Sequence, residues 1–433
     1  MKRTGHFEVS IRGSFYAWGV LVLLTLIYIC SFVDRQIIAV LAPQIQADLE
    51  LSNFQVGLLY GTAFSVIYAV SGVPMGRLAD LYSRKWMIIA GLTVWSLMTA
   101  VSGFATSLTF LISARLLVGV SEAALSPAVY SLLSDFFTAR QRATVFSVYA
   151  SGIFLGIGAS FLIGGTVAEL YDWRTALVAV GIPGLLLALV AALLIKEIPR
   201  SSRTATAGEA DDEPLSFTAV LRYLLEKRTV RWHLAGFSLL AFSGYTILAF
   251  ISTVLTEIHE AAYLVPHYGW FMFATGISVM LSGKFADLLA HYWDASKRFL
   301  MGIVAGLAGL PLYYLGLYAD APLKALVLIG FANVISSSYN GVAAALIQYF
   351  VSSRMRALAG GVYLFVISVM GFGLGPPLTG WLIDHLFTGP RGTAHALFLV
   401  MSSCGILATG CFLKAMKTYD RDAEPENITD QHG

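Results

Sequence analysis

Charge is what this chain has least of. Asp, Glu, Lys and Arg make up 12% of its 433 residues, and the formal net charge is +2. A soluble globular chain carries about 25% charged residues. The shortage excludes a soluble enzyme, a disordered polypeptide and a coiled coil. The near-zero balance leaves no field to hold nucleic acid. Cysteine is scarce as well: Cys30, Cys404 and Cys411 each sit inside an apolar run. They form neither a disulfide framework nor a metal-ligand spacing, so no metal site is expected. There is no phosphate-binding Gly-Lys-Ser/Thr loop, no His-Glu metal motif and no serine nucleophile elbow, which argues against an ATP-driven pump and against a membrane enzyme. What the chain has in quantity is apolar surface, at 57% of residues. An integral membrane protein remains.

A helix needs about 20 mostly apolar residues to cross a bilayer. Candidate spans are 16–42, 53–78, 86–104, 108–135, 141–167, 174–195, 231–257, 266–290, 298–317, 322–350, 355–384 and 392–416. The basic residues Lys2, Arg3 and Arg12 precede a first run too long for a signal peptide, so it counts as a span. Lys and Arg then alternate. The N-terminus, the even-numbered connections and the C-terminal tail carry nearly all of them, whereas the odd-numbered connections hold only Arg174, Lys324 and Arg391. By the positive-inside rule both termini are cytoplasmic. The segment 196–230, with its "GEADDEP" stretch, reads as a solvated linker, and part of 215–228 could form an amphipathic interfacial helix.

The two sides of that linker repeat each other. "GRLADLYSRKWMIIAG" (76–91) recurs as "GKFADLL" (283–289) followed by "KRFLMGIVAG" (297–306), and "DFFTARQRA" (135–143) aligns with "YFVSSRMRA" (349–357). The expected fold is an all-α membrane protein of twelve transmembrane helices in two pseudo-symmetric six-helix bundles. The bundles would be 1–195 and 231–433, the second including the tail, with 196–230 as a cytoplasmic linker. Two similar halves can rock about a shared midplane.

The loop "GRLADLYSRK" (76–85) resembles the signature loop of the major facilitator superfamily. "FVDRQIIAVLAPQIQADLELSNFQVGLL" (32–59) and "RLLVGVSEAALSPAVYSLLSDFF" (115–137) are similar to the Spinster family, in particular its bacterial members. The organic anion:cation symporter branch competes, since it shares an Asp-Arg pair in helix one and an "RxxxGxxE"-like stretch in helix four. The resemblance implies a secondary transporter of the bacterial inner membrane, and its eukaryotic Spinster relatives move sphingosine phosphate or lysophospholipids. It also implies a cytoplasmic gate of Gly76, Asp80, Arg84, Lys85, Asp135 and Arg140. There Asp80 would meet the start of helix eleven around Ala359–Gly361, and Arg84 would pair with Asp135.

Four ionisable residues lie deep in spans: Asp34, Arg35, Arg115 and Glu122. Each costs at least about 2.5–3.5 kcal/mol at a helix centre for Arg or Asp, so a purely structural pair is a poor investment beside packed apolar residues. At 1.5 Å per residue, Asp34 lies about 27 Å along its helix, at a depth comparable with Arg115. Arg115 and Glu122, seven residues apart, share one helix face. The chemistry suggested is an acid that exchanges a proton, Asp34 or Glu122, beside arginines that hold an anion. An isolated carboxylate in apolar surroundings is the better proton carrier, which favours Glu122. Substrate contacts are expected from Arg35, Arg115, Tyr60, Phe64, Tyr245, Tyr339, Asn340 and Tyr363. One charged wall and one aromatic wall suit an amphiphile. The expected activity is proton-coupled transport of a lysophospholipid or sphingosine-phosphate-like lipid by a monomer in the bilayer. Protons would be its only coupling agent, with no cofactor, and symport and antiport stay open.

Overall fold

The computed structural model describes residues 15–196, 217–352 and 355–423. Among these residues, twelve helices are long and apolar enough to cross a membrane. They are α1 (Phe15–Leu49), α2 (Asn53–Gly72, its helix carried on to Leu81), α3 (Arg84–Ser102), α4 (Leu108–Phe136), α5 (Arg140–Leu170) and α6 (Trp173–Leu194). After the linker come α7 (Arg228–Ile258), α8 (Ala262–Tyr292), α9 (Ala295–Leu317), α10 (Pro322–Phe350), α11 (Leu358–His385) and α12 (Gly392–Asp422).

The helix starts follow local capping chemistry. Ser52 and Gln55 form a reciprocal capping box at α2, with Gln55 N–H donating to Ser52 Oγ at 3.2 Å and Ser52 N–H to Gln55 Oε1 at 2.9 Å. Ser83 and Ser107 accept from the first turns of α3 and α4. Before α6, Asp172 accepts the Thr175 N–H at 2.6 Å, and that bond holds its carboxyl below the usual carboxylate range. Four spans contain a π-helical turn: Leu58–Thr62 in α2, Ser160–Gly164 in α5, Val254–Ile258 in α7 and Ser368–Gly373 in α11. Such turns are rare single-turn bulges inside α-helices.

The chain divides into two compact units. One comprises Met1–Ile45 and Ala63–Asp212, the other Gln46–Thr62 and Glu213–Gly433. The division departs from the expected 1–195 bundle at Gln46–Thr62, because the start of α2 packs along α11. In the first unit α3 packs along α4 and α6, and α2 along α4. In lipid, such contacts depend on close packing of small residues rather than on expulsion of water. In the second unit α12 packs along α7 and α9, around Phe237, Phe299, Phe350 and Phe412, all fully buried.

The linker ends in structure. Phe217–Glu226 is an amphipathic helix whose Val220 and Leu224 are buried in the second unit's core while Arg222 and Glu226 face outward. α7 then starts at Arg228, slightly before the expected position, because Asp422 at the end of α12 caps it. Thr229 N–H donates to Asp422 Oδ2 at 2.7 Å, and Lys227 Nζ donates to the Asp422 carbonyl at 3.0 Å. Lys227, which precedes the helix, offers no side-chain cap of its own.

Candidate functional site

All four deep charges belong to the first unit. Successive helical residues point about 100° apart, so Asp34 and Arg35 diverge from neighbouring positions on α1. Arg35 Nη2 donates to Glu122 Oε2 on α4 at 2.9 Å, with 14% and 1% of the two side chains exposed. The same guanidinium is boxed by aromatic rings. Its Cζ lies 4.5 Å from the Phe32 centroid, 4.5 Å from Phe64 and 4.8 Å from Tyr68. Phe32 sits three residues before Arg35 on the same helix face, and Phe64 and Tyr68 are four apart on α2, stacked at 5.3 Å.

The other arginine serves the other acid. Arg115 Nη1 donates to the main-chain carbonyl of Asp34 at 2.8 Å, and its charge also acts on the Asp34 carboxyl through space. Asp34 is 2% exposed, and among the described residues nothing donates to its Oδ1; the same holds for Glu122 Oε1. A buried acceptor left in that condition costs about 1–3 kcal/mol. α4 reaches this position through Gly119, midway between Arg115 and Glu122. A Cβ there would stand 2.4 Å from Ile67 and 3.0 Å from the Phe64 carbonyl. Any larger residue would press α4 away from α2.

This arrangement corrects one expectation. Glu122 was expected to be the isolated acid. The structure gives Glu122 the direct ion pair and leaves Asp34 Oδ1 without a donor. The cause is helical geometry: Arg35 points toward α4 at the level of Glu122, and Arg115 reaches the α1 backbone instead. Phe32 and Tyr68 escaped the sequence reading, although their spacing from Arg35 and Phe64 was visible in it.

The second unit contributes rings without deep carboxylates. Tyr60, 2% exposed, meets the Phe372 ring edge-on at 4.9 Å, and Tyr245 stacks on the same ring at 4.5 Å. Tyr339 and Tyr363 are part of the unit's apolar core, against Phe237 and His233 respectively, each at 5.7 Å. They therefore pack helices together here rather than line open space. Asn340 is exposed, and its amide donates to the Ser337 carbonyl at 2.9 Å. The sequence reading also missed His233, which is fully buried among Phe237, Phe299 and Tyr363, with no hydrogen-bond partner for either ring nitrogen among the described residues.

At the loop 76–85, Arg84 is buried, ion-paired with Asp135, and donates to Ser131 Oγ at 3.3 Å. Lys85 Nζ donates to the Ala192 carbonyl at 2.7 Å. Arg140 is exposed. A Cβ on Gly76 would meet nothing within 4 Å, so close packing does not explain that glycine. The Asp80 side chain lies outside the described residues, and so does its expected contact with helix eleven. The second unit has a related corner. Arg298 pairs with Asp287 at 3.4 Å and lies 4.8 Å from the ring of Tyr349, the residue that the repeat aligns with Asp135.

Comparison with known proteins places this geometry in context. The profile of the Major Facilitator Superfamily matches residues 24–373. An MFS-type efflux pump of Mycolicibacterium smegmatis is 29% identical over 94% of both chains. The hexuronate transporter of Bacillus subtilis is 27% identical over 90% of this chain and 92% of its own. Among solved structures, a bacterial homologue of the human lysosomal transporter Spinster, inward-facing and unoccupied, superposes with a TM-score of 0.83. It is 25% identical, over 95% of this chain and 100% of that one.

Proposed function

The chain belongs to the Major Facilitator Superfamily and is Spinster-like, and from that premise we propose that it is a proton-coupled carrier of an anionic amphiphile, a lysophospholipid or a sphingosine-phosphate-like lipid. It would work as a monomer in the bacterial inner membrane by alternating access, with both termini and the loop 76–85 in the cytoplasm.

The observation that carries the reading is the Arg35–Glu122 pair inside its box of rings. A guanidinium neutralised by a carboxylate has little to offer an anion. Protonation of Glu122 removes its claim on Arg35 and lets a phosphate take the fork bidentately. Proton and anion then bind together rather than in competition. Asp34, beside Arg115, is the second group able to exchange a proton. The rings around Arg35 offer apolar surface next to the charged head, which is what a lipid with a phosphate head and a hydrocarbon tail requires. Arg84 with Asp135, and the neighbouring Lys85 and Arg140, would form the cytoplasmic gate.

A second reading has its own support. The likeness to a hexuronate transporter favours a small organic anion with protons on the same residues. One experiment separates them. In proteoliposomes under an inward proton gradient, the wild type should take up a lysophospholipid saturably, and hexuronate poorly. Glu122→Gln and Asp34→Asn should each abolish the dependence on pH while the protein still purifies as a folded monomer. Uptake of hexuronate alone would establish the second reading, and unchanged pH dependence in both variants would remove the proton assignment.

A further inference from the structure

In the second unit, α7 and α12 run along each other in opposite directions, and two contacts fix their register at the end next to the linker helix. Thr229 Oγ1 donates to Thr418 Oγ1 at 2.6 Å, and the Lys414 ammonium lies 4.4 Å from the centroid of the Trp232 ring. That register brings cations of both helices to one corner. Arg228 and Arg231 come from α7, Lys414 and Lys417 from α12, and all four are exposed. Among the described residues, no ion pair engages them. Asp422 is occupied by the Thr229 N–H. The exposed acids Glu226 and Asp420 are matched by the exposed Arg222 and Arg421, so the positive excess stands.

Below the cations the same helix face turns apolar. At about 100° per residue, Ile406, Gly410, Leu413, Lys414 and Lys417 fall within an arc of about 100° on α12, and all are exposed. Ile406 and Lys417 are about 17 Å apart along the axis at 1.5 Å per residue. A Cβ on Gly410 would meet nothing within 4 Å, so no neighbouring side chain covers that face. Trp232 is half-buried between the apolar and the basic parts, the level at which an indole favours a membrane–water boundary. Repulsion among clustered cations is relieved when an anion sits between them, and exposed apolar length beneath them is relieved by acyl chains. One bilayer component supplies both. The loading is not a general property of the helix ends. The corresponding corner of the first unit, formed by the start of α1 and the end of α6, offers Lys196 alone among the described residues. There the Tyr16 hydroxyl donates to the Leu194 carbonyl at 2.9 Å, and Lys196 lies over the Tyr16 ring at 5.5 Å.

We propose that the α7–α12 corner seats one anionic phospholipid of the bilayer, its phosphate among Arg231, Lys414 and Lys417 and an acyl chain along Leu413, Gly410 and Ile406. The orientation proposed above puts this corner at the inner leaflet, whose anionic lipids attract basic segments beside a span. The site is separate from the Arg35–Glu122 cluster, and its test needs no transport. The full chain in a mild detergent is titrated with phosphatidylglycerol, or with phosphatidylcholine of the same acyl chains, and native mass spectrometry counts the lipids retained. The wild type should retain one phosphatidylglycerol roughly ten-fold or more tightly than phosphatidylcholine, and Arg231→Gln or Lys414→Gln should each lower that preference roughly five-fold, the scale of one cation near a membrane surface. Adding Lys417→Gln to both should abolish it. Arg231→Lys with Lys414→Arg keeps the charges and should keep the preference. All these positions are exposed, and equal melting temperatures in lipid-free detergent establish that the variants fold alike. An undiminished preference in the triple variant overturns the site. Lys196→Gln in the first unit should change nothing; an equal loss there would mean a diffuse attraction of basic helix ends and would overturn the assignment to this corner. Glycerol phosphate, the same head group without tails, should not displace the lipid, and displacement would make this a site for a soluble anion instead. Absence of lysolipid uptake by the wild type would overturn the proposed cargo and leave this site standing.

Discussion

The first unit buries ionisable residues in the middle of its helices, whereas the charged contacts of the second lie at helix ends. Asp34, Arg115 and Glu122 are each 2–3% exposed within α1 and α4. In the second unit the charged contacts include Asp384 with the start of α2, Asp422 with the start of α7, and Arg298 with Asp287. A charge at mid-span is expensive in lipid, and it survives where its chemistry is used. A charge at a helix end costs little, meets water readily and can make and break contacts. The difference supports the proposed placement of coupling chemistry in the first unit.

The sharpest way to break this comparison is to remove one charge from each location. Arg35→Leu leaves Glu122 buried without its ion partner and should cost about 3–5 kcal/mol of stability. Arg35→Leu combined with Glu122→Leu should recover most of that loss, because an apolar pair packs well, yet transport should stay lost. Asp384→Asn, at a helix end, should cost only about 0.5–2 kcal/mol, the range of a capping contact. Thermal unfolding of the four proteins in one detergent measures all three effects. Equal costs at the centre and at the end would erase the distinction between the units.

A smaller effect is expected at the two repeated corners. The side chains of Arg84 and Asp135 are 3% and 38% exposed, whereas those of Arg298 and Asp287 are 10% and 74% exposed, and Arg298 also faces the ring of Tyr349. Arg84→Gln should therefore cost about 1.5–3 kcal/mol as the loss of a bond to a charged group. Arg298→Gln should cost about 0.5–1 kcal/mol, since water screens its acid and a ring contact contributes on that scale. Introducing Tyr349→Asp makes the second corner chemically like the first, and the cost of Arg298→Gln should then rise toward that of Arg84→Gln. A double-mutant cycle on melting temperatures reads the coupling, and no rise after Tyr349→Asp would show that the corners differ in backbone geometry as well as in side chain.

The spans, the repeat and the four deep charges were legible because each is a one-dimensional signal: apolar length, self-similarity, and Asp or Arg where lipid forbids them. The partners were not legible. Whether Glu122 meets Arg35 or stands alone depends on the rotation of α4 about its axis, which no local pattern of the sequence specifies. Phe32 and Tyr68 are two among many aromatic residues, and nothing local separates a ring over a guanidinium from a ring facing lipid. Tyr339 and Tyr363 looked like substrate contacts on composition, and helix packing buries them instead. Asp384 was visible as a charge at a helix end, but its partners at Asn53 and Phe54 lie far away in sequence. Long-range hydrogen bonds leave no periodic trace.

The finest test concerns the rings over Arg35, and there the sign of the effect is informative. A cation over an aromatic face gains about 0.5–1 kcal/mol when exposed and about 2 kcal/mol when desolvated. Phe64, 4.5 Å from the guanidinium carbon, contributes to holding Arg35 in its resting position. If Arg35 leaves that position to take an anionic head group, the ring stabilises the empty state and weakens binding by the same amount. Phe64→Leu keeps apolar bulk and removes the ring, so it should tighten binding of a phosphate-bearing lysolipid by about three- to ten-fold, following the shift in population of the released arginine. A neutral lipid of equal tail length should bind the variant and the wild type alike. Phe372→Leu in the second unit, where the ring packs Tyr60 and Tyr245, should not discriminate between the two lipids. Isothermal titration in detergent measures each affinity. Weaker binding of both lipids to Phe64→Leu would mean that the ring is simply wall, that Arg35 stays on Glu122 throughout, and that the anionic head is held by Arg115.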